Sequence, residues 1–181
     1  MLLTSLLRPL VLVLGLGLIG CSSGPKIEDF EGTSPVFVPE TYLLGETRVW
    51  GIFQDRFGTV RRQFVADVVG TVDGNVLTLD ETFEYADGEK DKRIWKITNL
   101  GDGRYEGLAN DVIGKAVGEA NGQAFHLSYY VDIEVSEDST WRVHFDDWLM
   151  LQEDGVVVNR AIVTKFGVKV GELSAFFKKI D

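Results

Sequence analysis

The sequence predicts an all-β fold, a single antiparallel up-and-down (meander) β-barrel of nine or ten strands. Three observations predict it. Glycine-bearing turn pairs recur from Gly45 onward, the segments between them alternate apolar and polar residues, and no proline follows Pro39. The turn pairs are Phe57-Gly58, Asp73-Gly74, Asp87-Gly88, Asp102-Gly103, Asn121-Gly122, Asp154-Gly155 and Phe166-Gly167, with Glu137-Asp138 in the long gap. Asp-Gly and Asn-Gly favour the positive-φ turns whose twist suits antiparallel hairpins. Consecutive turns mostly stand 13 to 19 residues apart. That is longer than the spacing of an immunoglobulin-like sandwich and fits a closed meander, which also removes exposed sheet edges.

The elements follow in order. Arg8 precedes an apolar run from Leu10 to Ile19, which ends in Leu18-Ile19-Gly20-Cys21. A basic residue, an apolar core and small residues in that order make residues 1–20 a secretory signal peptide. The apolar run is too short to span a bilayer, which takes about 20 residues. Leu18–Cys21 resembles the bacterial lipobox. That resemblance implies cleavage before Cys21, a diacylglycerol on its sulfur and an acylated amino group. Ser22 departs from the Asp that retains such proteins in the inner membrane, so the resemblance implies the periplasmic face of the outer membrane. Residues 21–44 form the lipidated N-terminus and a linker. The first half reads as a spacer, whereas Phe30, Val36, Phe37, Val38, Tyr42 and Leu43 place the second half on the domain.

Residues 45–181 form the barrel domain, with strands expected between Gly45 and Lys178. Leu77, Leu79, Phe83 and Tyr85 alternate with polar residues, as do Phe125, Leu127, Tyr129, Val131, Ile133 and Val135. This is strand patterning with one apolar face. Residues 104–120 break near Asn110-Asp111 and Gly114. Pairing Val135 with Trp141 sets Phe125 to Val135 on the same face as Trp141, Val143, Phe145, Leu149 and Leu151. It also sets Asp132 opposite His144 and Glu134 opposite Arg142, and leaves Asp147 as the one charge on the apolar face.

The net charge of −10 becomes more negative once Arg8 leaves with the signal. Such a body is repelled by anionic surfaces and is a poor nucleic-acid partner. Cys21 is the only cysteine, so no disulfide is available to the barrel.

No residue set declares a reaction, and a non-enzymatic role is expected, with no cofactor or metal. His126 and His144 face the same way, yet stand too far out of step on adjacent strands for shared ligation, His126 pairing near Met150. No serine or cysteine nucleophile lies at a recognisable spacing from either, and no phosphate-binding glycine loop precedes a helix. Asp146 and Asp147 point to opposite faces of a strand, so they are not an acid/base pair.

The densest constellation is charged and aromatic. The candidate ligand-binding residues are Arg62, Tyr85, Arg93, Trp95, Tyr129, Asp147, Trp148 and Arg160, with Arg160 placed near Trp148 and Asp147 on the neighbouring strand. They read as a patch that orients a ligand headgroup in or at the mouth of the barrel. The competing explanation, which the energetics of buried ionic clusters favours, is structural registry. Six glycines, Gly101, Gly103, Gly107, Gly114, Gly118 and Gly122, read either as a portal or as a tightly bent barrel corner with a bulge.

Several motifs resemble those of a family of uncharacterised Gram-negative lipoproteins. They are Asp55-Arg56-Phe57-Gly58 with Arg61-Arg62, Leu77–Glu81 and Tyr85, Arg93 and Trp95, Tyr105-x-Gly107, Asp111-Val112, Asp146-Asp147-Trp148, Asn159-Arg160 and Lys165-Phe166-Gly167. Genes of that family often stand near enzymes that modify membrane fatty acids, which implies lipid-related biology by association. In architecture the chain resembles the calycins, that is, lipocalins and fatty-acid-binding proteins. Phe30-x-Gly32 is only a faint echo of the lipocalin Gly-x-Trp, and architecture alone does not fix function.

The leading expectation is a monomeric, membrane-tethered carrier of a fatty acyl or other lipid. Two alternatives stand beside it, an envelope protein with a filled barrel, and a lipid-modifying enzyme using Asp146, Asp147 or His144. Cys21→Ala is expected to abolish incorporation of a clickable palmitate analogue and to leave the uncleaved precursor, read on a gel of labelled cells.

Overall fold

The computed structural model describes residues 24–136 and 139–180. Residues 1–23, including the lipobox and Cys21, lie outside the described residues, as do Glu137 and Asp138. Among the described residues ten strands are present: β1 (Gly45–Asp55), β2 (Val60–Asp73), β3 (Val76–Tyr85), β4 (Lys90–Gly101), β5 (Arg104–Ala109), β6 (Ala116–Asn121), β7 (Ala124–Ser136), β8 (Ser139–Leu151), β9 (Val156–Lys165) and β10 (Val168–Lys179). Each pairs antiparallel with its neighbour in sequence, and β10 returns to pair with β1, so the sheet closes. The glycine-bearing turn pairs all fall at hairpin tips. Their glycines adopt positive φ, from +50° at Gly122 to +88° at Gly88, the left-handed region that costs a glycine little.

Alternation decides which side chains enter the tube. Val49, Ala66, Val68, Leu77, Leu79, Trp95, Ile97, Phe125, Leu127, Tyr129, Val143, Leu149, Val157, Val163 and Ala175 are buried. The two small-residue strands explain the glycine cluster. A Cβ at Gly107 would sit 3.0 Å from the Trp95 ring, and one at Gly118 would sit 2.9 Å from Tyr105 and 3.0 Å from Leu127. These glycines make room for large interior aromatics. The remainder of the cluster supplies turns, and a bulge at Asn99/Gly101 matches the bent-corner expectation.

The β7–β8 register differs from the expected one by two residues. Ile133 pairs with Trp141, Asp132 with Arg142 and Tyr130 with His144. Ser136 pairs with Ser139, which leaves a two-residue connection, and a bulge between Glu134 and Ser136 restores the parity that such a connection would break. From Phe125 to Ile133 the faces are therefore as expected while the partners are not, and Val135, expected on the same face, has no ladder partner at the bulge and is exposed. Asp132, not Glu134, takes Arg142, through two hydrogen bonds of 2.8 Å.

Residues 27–44 close one end of the tube. A 3₁₀ turn (Ile27–Phe30) rests on the outer wall, where Asn121 donates to the Ile27 carbonyl and the Phe30 ring lies 5.7 Å from Trp148. Phe37 then enters the barrel end edge-on to Tyr42 and Phe125. Helix α1 (Pro39–Tyr42) starts on a proline, whose fixed φ suits a first helical turn. Glu40 accepts hydrogen bonds from Asn99 and from the Tyr105 hydroxyl. The Tyr42 hydroxyl lies 2.8 Å from the Gly155 carbonyl, tying the plug to the β8–β9 turn. Among the described residues, regular structure in the expected linker starts with the turn at Ile27, while Val36 and Val38 are exposed.

Phe37 fills the plugged end and is 1% exposed. Phe37→Ala is expected to cost about 3–5 kcal/mol of unfolding free energy, measured as a lower urea midpoint. A loss under about 1 kcal/mol would mean that the plug is not part of the cooperative core.

Candidate functional site

Ten strands make a tube wider than the eight-stranded barrels whose side chains can fill it. Here Phe37, Tyr105 and Phe125 pack into the plugged end, and a cavity of about 620 Å³ runs from Leu43 to the opposite end. Its walls are mainly apolar: Val49, Phe64, Leu79, Phe83, Leu127 and Phe145 among them. Arg61, Arg62, Tyr85, Asp91, Lys92, Asn110 and Asp111 ring the open end. The wall is lowest at β5 and β6, each only 6 residues long. The loop between them covers the gap through a Val112–Val131 bridge and an Ile113 N–H bond of 2.8 Å to the Tyr130 carbonyl.

Midway along this cavity the apolar wall is interrupted by charge. Glu81 on β3 pairs with Arg93 on β4, and both point inward. Arg93 lies 4.5 Å from the Trp95 ring centre and 5.6 Å from that of Tyr129, cation–π distances. Its Nε is 3.0 Å from Asp111 Oδ1, an ion pair whose angle is poor for a hydrogen bond. Arg93 Nε and Nη2 and Asp111 Oδ1 therefore lack a hydrogen-bond partner among the described residues. On the facing strands the Asp147 carboxylate accepts from the Tyr129 hydroxyl at 3.1 Å and from the Asn159 amide.

Burial governs the titration of these groups. It pushes Glu81 up to about 7, against the pull of Arg93, and the nearby Asp111 and Asp147 raise it further. Asp147 is also raised by burial, which outweighs its hydrogen bonds from Asn159 and Tyr129. The Tyr129 hydroxyl is raised well above its ordinary value, first by burial and then by the Asp147 charge. Burial opposes the Arg93 charge, but Tyr129, Glu81, Asp111 and Asp147 around it outweigh that effect and keep it ionised. One guanidinium among three carboxyls is a site with spare acceptors and a few unsatisfied donors.

Six of the eight expected site residues meet at this cavity. Arg62, Tyr85, Arg93, Trp95, Tyr129 and Asp147 all line it, Arg62 lying over the Tyr85 ring at 3.8 Å while bonded to Glu89 at 2.8 Å. Trp148 and Arg160 do not. They pair across β8 and β9 on the outer face, because residues next to Asp147 and Ala161 along a strand point the other way. Trp148 stacks on His126 at 4.3 Å under Phe30, and Arg160 binds Glu172 at 2.7 Å, which helps to hold the Glu172 carboxyl down to about 2. Glu81, Asp111 and Asn159 complete the site. Glu81 carried a legible signal, since it occupies the inner-face position between Leu79 and Phe83 and breaks their apolar series.

The histidines lie outside the cavity. His126 pairs with Trp148, not near Met150, and contacts Asp146, while His144 lies 2.8 Å from the Ser128 hydroxyl. Cross-strand pairing thus produces a Ser–His contact that linear spacing did not reveal. It sits on the outer wall, and none of these four residues lines the cavity. Among the described residues no cluster of metal-ligating side chains occurs.

Fold and cavity together define a closed antiparallel barrel with an internal site. The chain belongs to a family described as proteins of unknown function (DUF3833), whose profile matches residues 15–179. No curated protein matches it in sequence. Among solved structures, a redesigned beta barrel is similar at 10% identity and a TM-score of 0.42, over 78% of this chain and 95% of that one.

Glu81 titrates in the fold near 7, above its ordinary value of 4.5. Its protonated form therefore contributes stability that is complete below about pH 4.5 and is lost as pH rises through about 7, and Asp147 acts in the same direction. Glu81→Gln stays neutral throughout and is expected to flatten that decline by up to about 3 kcal/mol, read from urea titrations at about pH 5 and about pH 8. Identical slopes for the two proteins would mean that Glu81 ionises as freely as a surface carboxylate.

Proposed function

We propose that the barrel binds and carries a hydrophobic, single-chain amphiphile. The observation that carries this reading is the cavity of about 620 Å³, apolar along its walls and polar at one level. Its size falls in the ~300–1,000 Å³ range of small-molecule sites, and a few convergent polar groups on an apolar wall are the composition of such sites. The filled-barrel alternative predicts an interior without this space.

The tether belongs to the same proposal. With a diacylglycerol on Cys21, six residue steps reach the packed 3₁₀ turn that starts at Ile27, a span of about 20 Å at most. The turn and the plug lie at the same end of the barrel, so a membrane-anchored chain holds that end toward the lipid and turns the open mouth away. The acidic body, of net charge −10 over the whole chain, adds repulsion from anionic headgroups. The protein then stands on the periplasmic face of the outer membrane as a monomer and meets its cargo from the periplasmic side.

Native mass spectrometry of protein purified from its own host is expected to show a co-purifying lipid of mass matching one acyl chain. Ala66→Phe, which places a ring in the cavity, is expected to weaken binding of a fluorescent fatty-acid probe by about tenfold or more. Absence of both lipid and probe binding in the folded wild-type protein would overturn the carrier reading.

A further inference from the structure

We propose that the polar end of the cavity ligand is an uncharged group that both donates and accepts hydrogen bonds, such as a glycerol ester or a long-chain alcohol, and not a carboxylate or phosphate. This inference rests on the carrier reading and concerns the headgroup that the same cavity selects.

Charge at the polar level carries it. The cavity places three carboxyls, Glu81, Asp111 and Asp147, around one guanidinium, Arg93. Arg93 already has Asp111 as its counter-ion at 3.0 Å. An anionic headgroup would displace that partner into a space holding two further carboxyls, at close range and away from bulk water, where like charges repel strongly. The cations at the mouth do not change the balance. Arg61 is paired with Asp55 at 2.6 Å and Arg62 with Glu89 at 2.8 Å, while Lys92 shares the rim with Asp91 and Glu134.

The hydrogen-bond inventory specifies the group. Beyond their own ion pair, Arg93 and Asp111 make no side-chain hydrogen bond among the described residues, and both side chains line the cavity, although Arg93 Nε and Nη2 and Asp111 Oδ1 are themselves enclosed. Glu81 makes no hydrogen bond or ion pair among the described residues and keeps contact with the cavity. A hydroxyl accepts from Arg93 and donates to Glu81 or Asp111 at once, and a glycerol ester offers more than one such group. Burial lifts Glu81 to about 7, so it can serve as acceptor or as donor near neutrality. Asp147 needs nothing further, since Tyr129 and Asn159 already occupy it.

The test is competition for the cavity against the fluorescent probe phenylnaphthylamine. The competitors are monopalmitoylglycerol, palmitate and hexadecylamine, which share one chain length, at a mildly alkaline pH where Glu81 is ionised. Monopalmitoylglycerol is expected to compete at least about tenfold better than palmitate. In Glu81→Gln, which removes one negative charge without changing shape, palmitate is expected to gain several-fold relative to the glycerol ester. Palmitate competing as well as the glycerol ester overturns the headgroup assignment while the carrier reading stands, and so does hexadecylamine competing better. An unaltered preference in Glu81→Gln overturns it as well, since the discrimination would not come from this cluster. Failure of the wild-type protein to bind the probe or any competitor overturns the carrier reading itself.

Discussion

The ladder between β1 and β10, running from Thr47↔Lys179 to Asp55↔Gly171, turns a ten-strand meander into a tube. Closure removes the two edges that a long apolar sheet would otherwise present to other chains. It also makes the inner face a single enclosed surface, so every inward position must be filled, capped or left as a void. The plug, the small-residue strands and the cavity are three consequences of that one constraint. Phe37, Leu43 and α1 cap one end, Gly107 and Gly118 admit rings where the wall is short, and the width that ten strands impose leaves space at the other end.

Within that space the charged level is the second organising feature. Burying Glu81, Arg93, Asp111 and Asp147 costs desolvation, and replacing such a cluster by apolar residues is often neutral or stabilising. Asp147 is satisfied by Tyr129 and Asn159, which suits a registry role across β7, β8 and β9. Arg93 and Glu81 are different, because both line the cavity and neither makes a side-chain hydrogen bond among the described residues. The same wall therefore contains one polar group that is complete and two that await a partner, which separates structural polarity from polarity available to a ligand.

Much of the fold was legible because both of its signals are local. An Asp-Gly or Asn-Gly pair specifies a turn through backbone sterics, and strict alternation specifies a face, so the seven glycine turns and the inner position of Asp147 could be read in advance. The β7–β8 partners could not. A two-residue connection and a bulge after Glu134 together leave the register two residues from the expected one on the same faces, and face alternation cannot distinguish registers that differ by an even number. The site followed the same rule. Arg93, Trp95, Tyr129 and Asp147 share inner-face parity, whereas Trp148 and Arg160, adjacent in sequence to inner residues, were carried to the outer wall.

Turn chemistry and period-two patterning in this chain are enough to specify an all-β meander of nine or ten strands and the inner and outer faces of most of them, since each depends on residues within a few positions of one another. Tertiary structure alone decided that β1 meets β10, that residues 27–44 plug one end, and that Glu81, Asp111 and Asn159 join Arg93 and Asp147 at one level of a cavity. Those outcomes depend on the barrel's circumference and stagger, which place strands far apart in sequence across a common interior, and no local pattern encodes that distance.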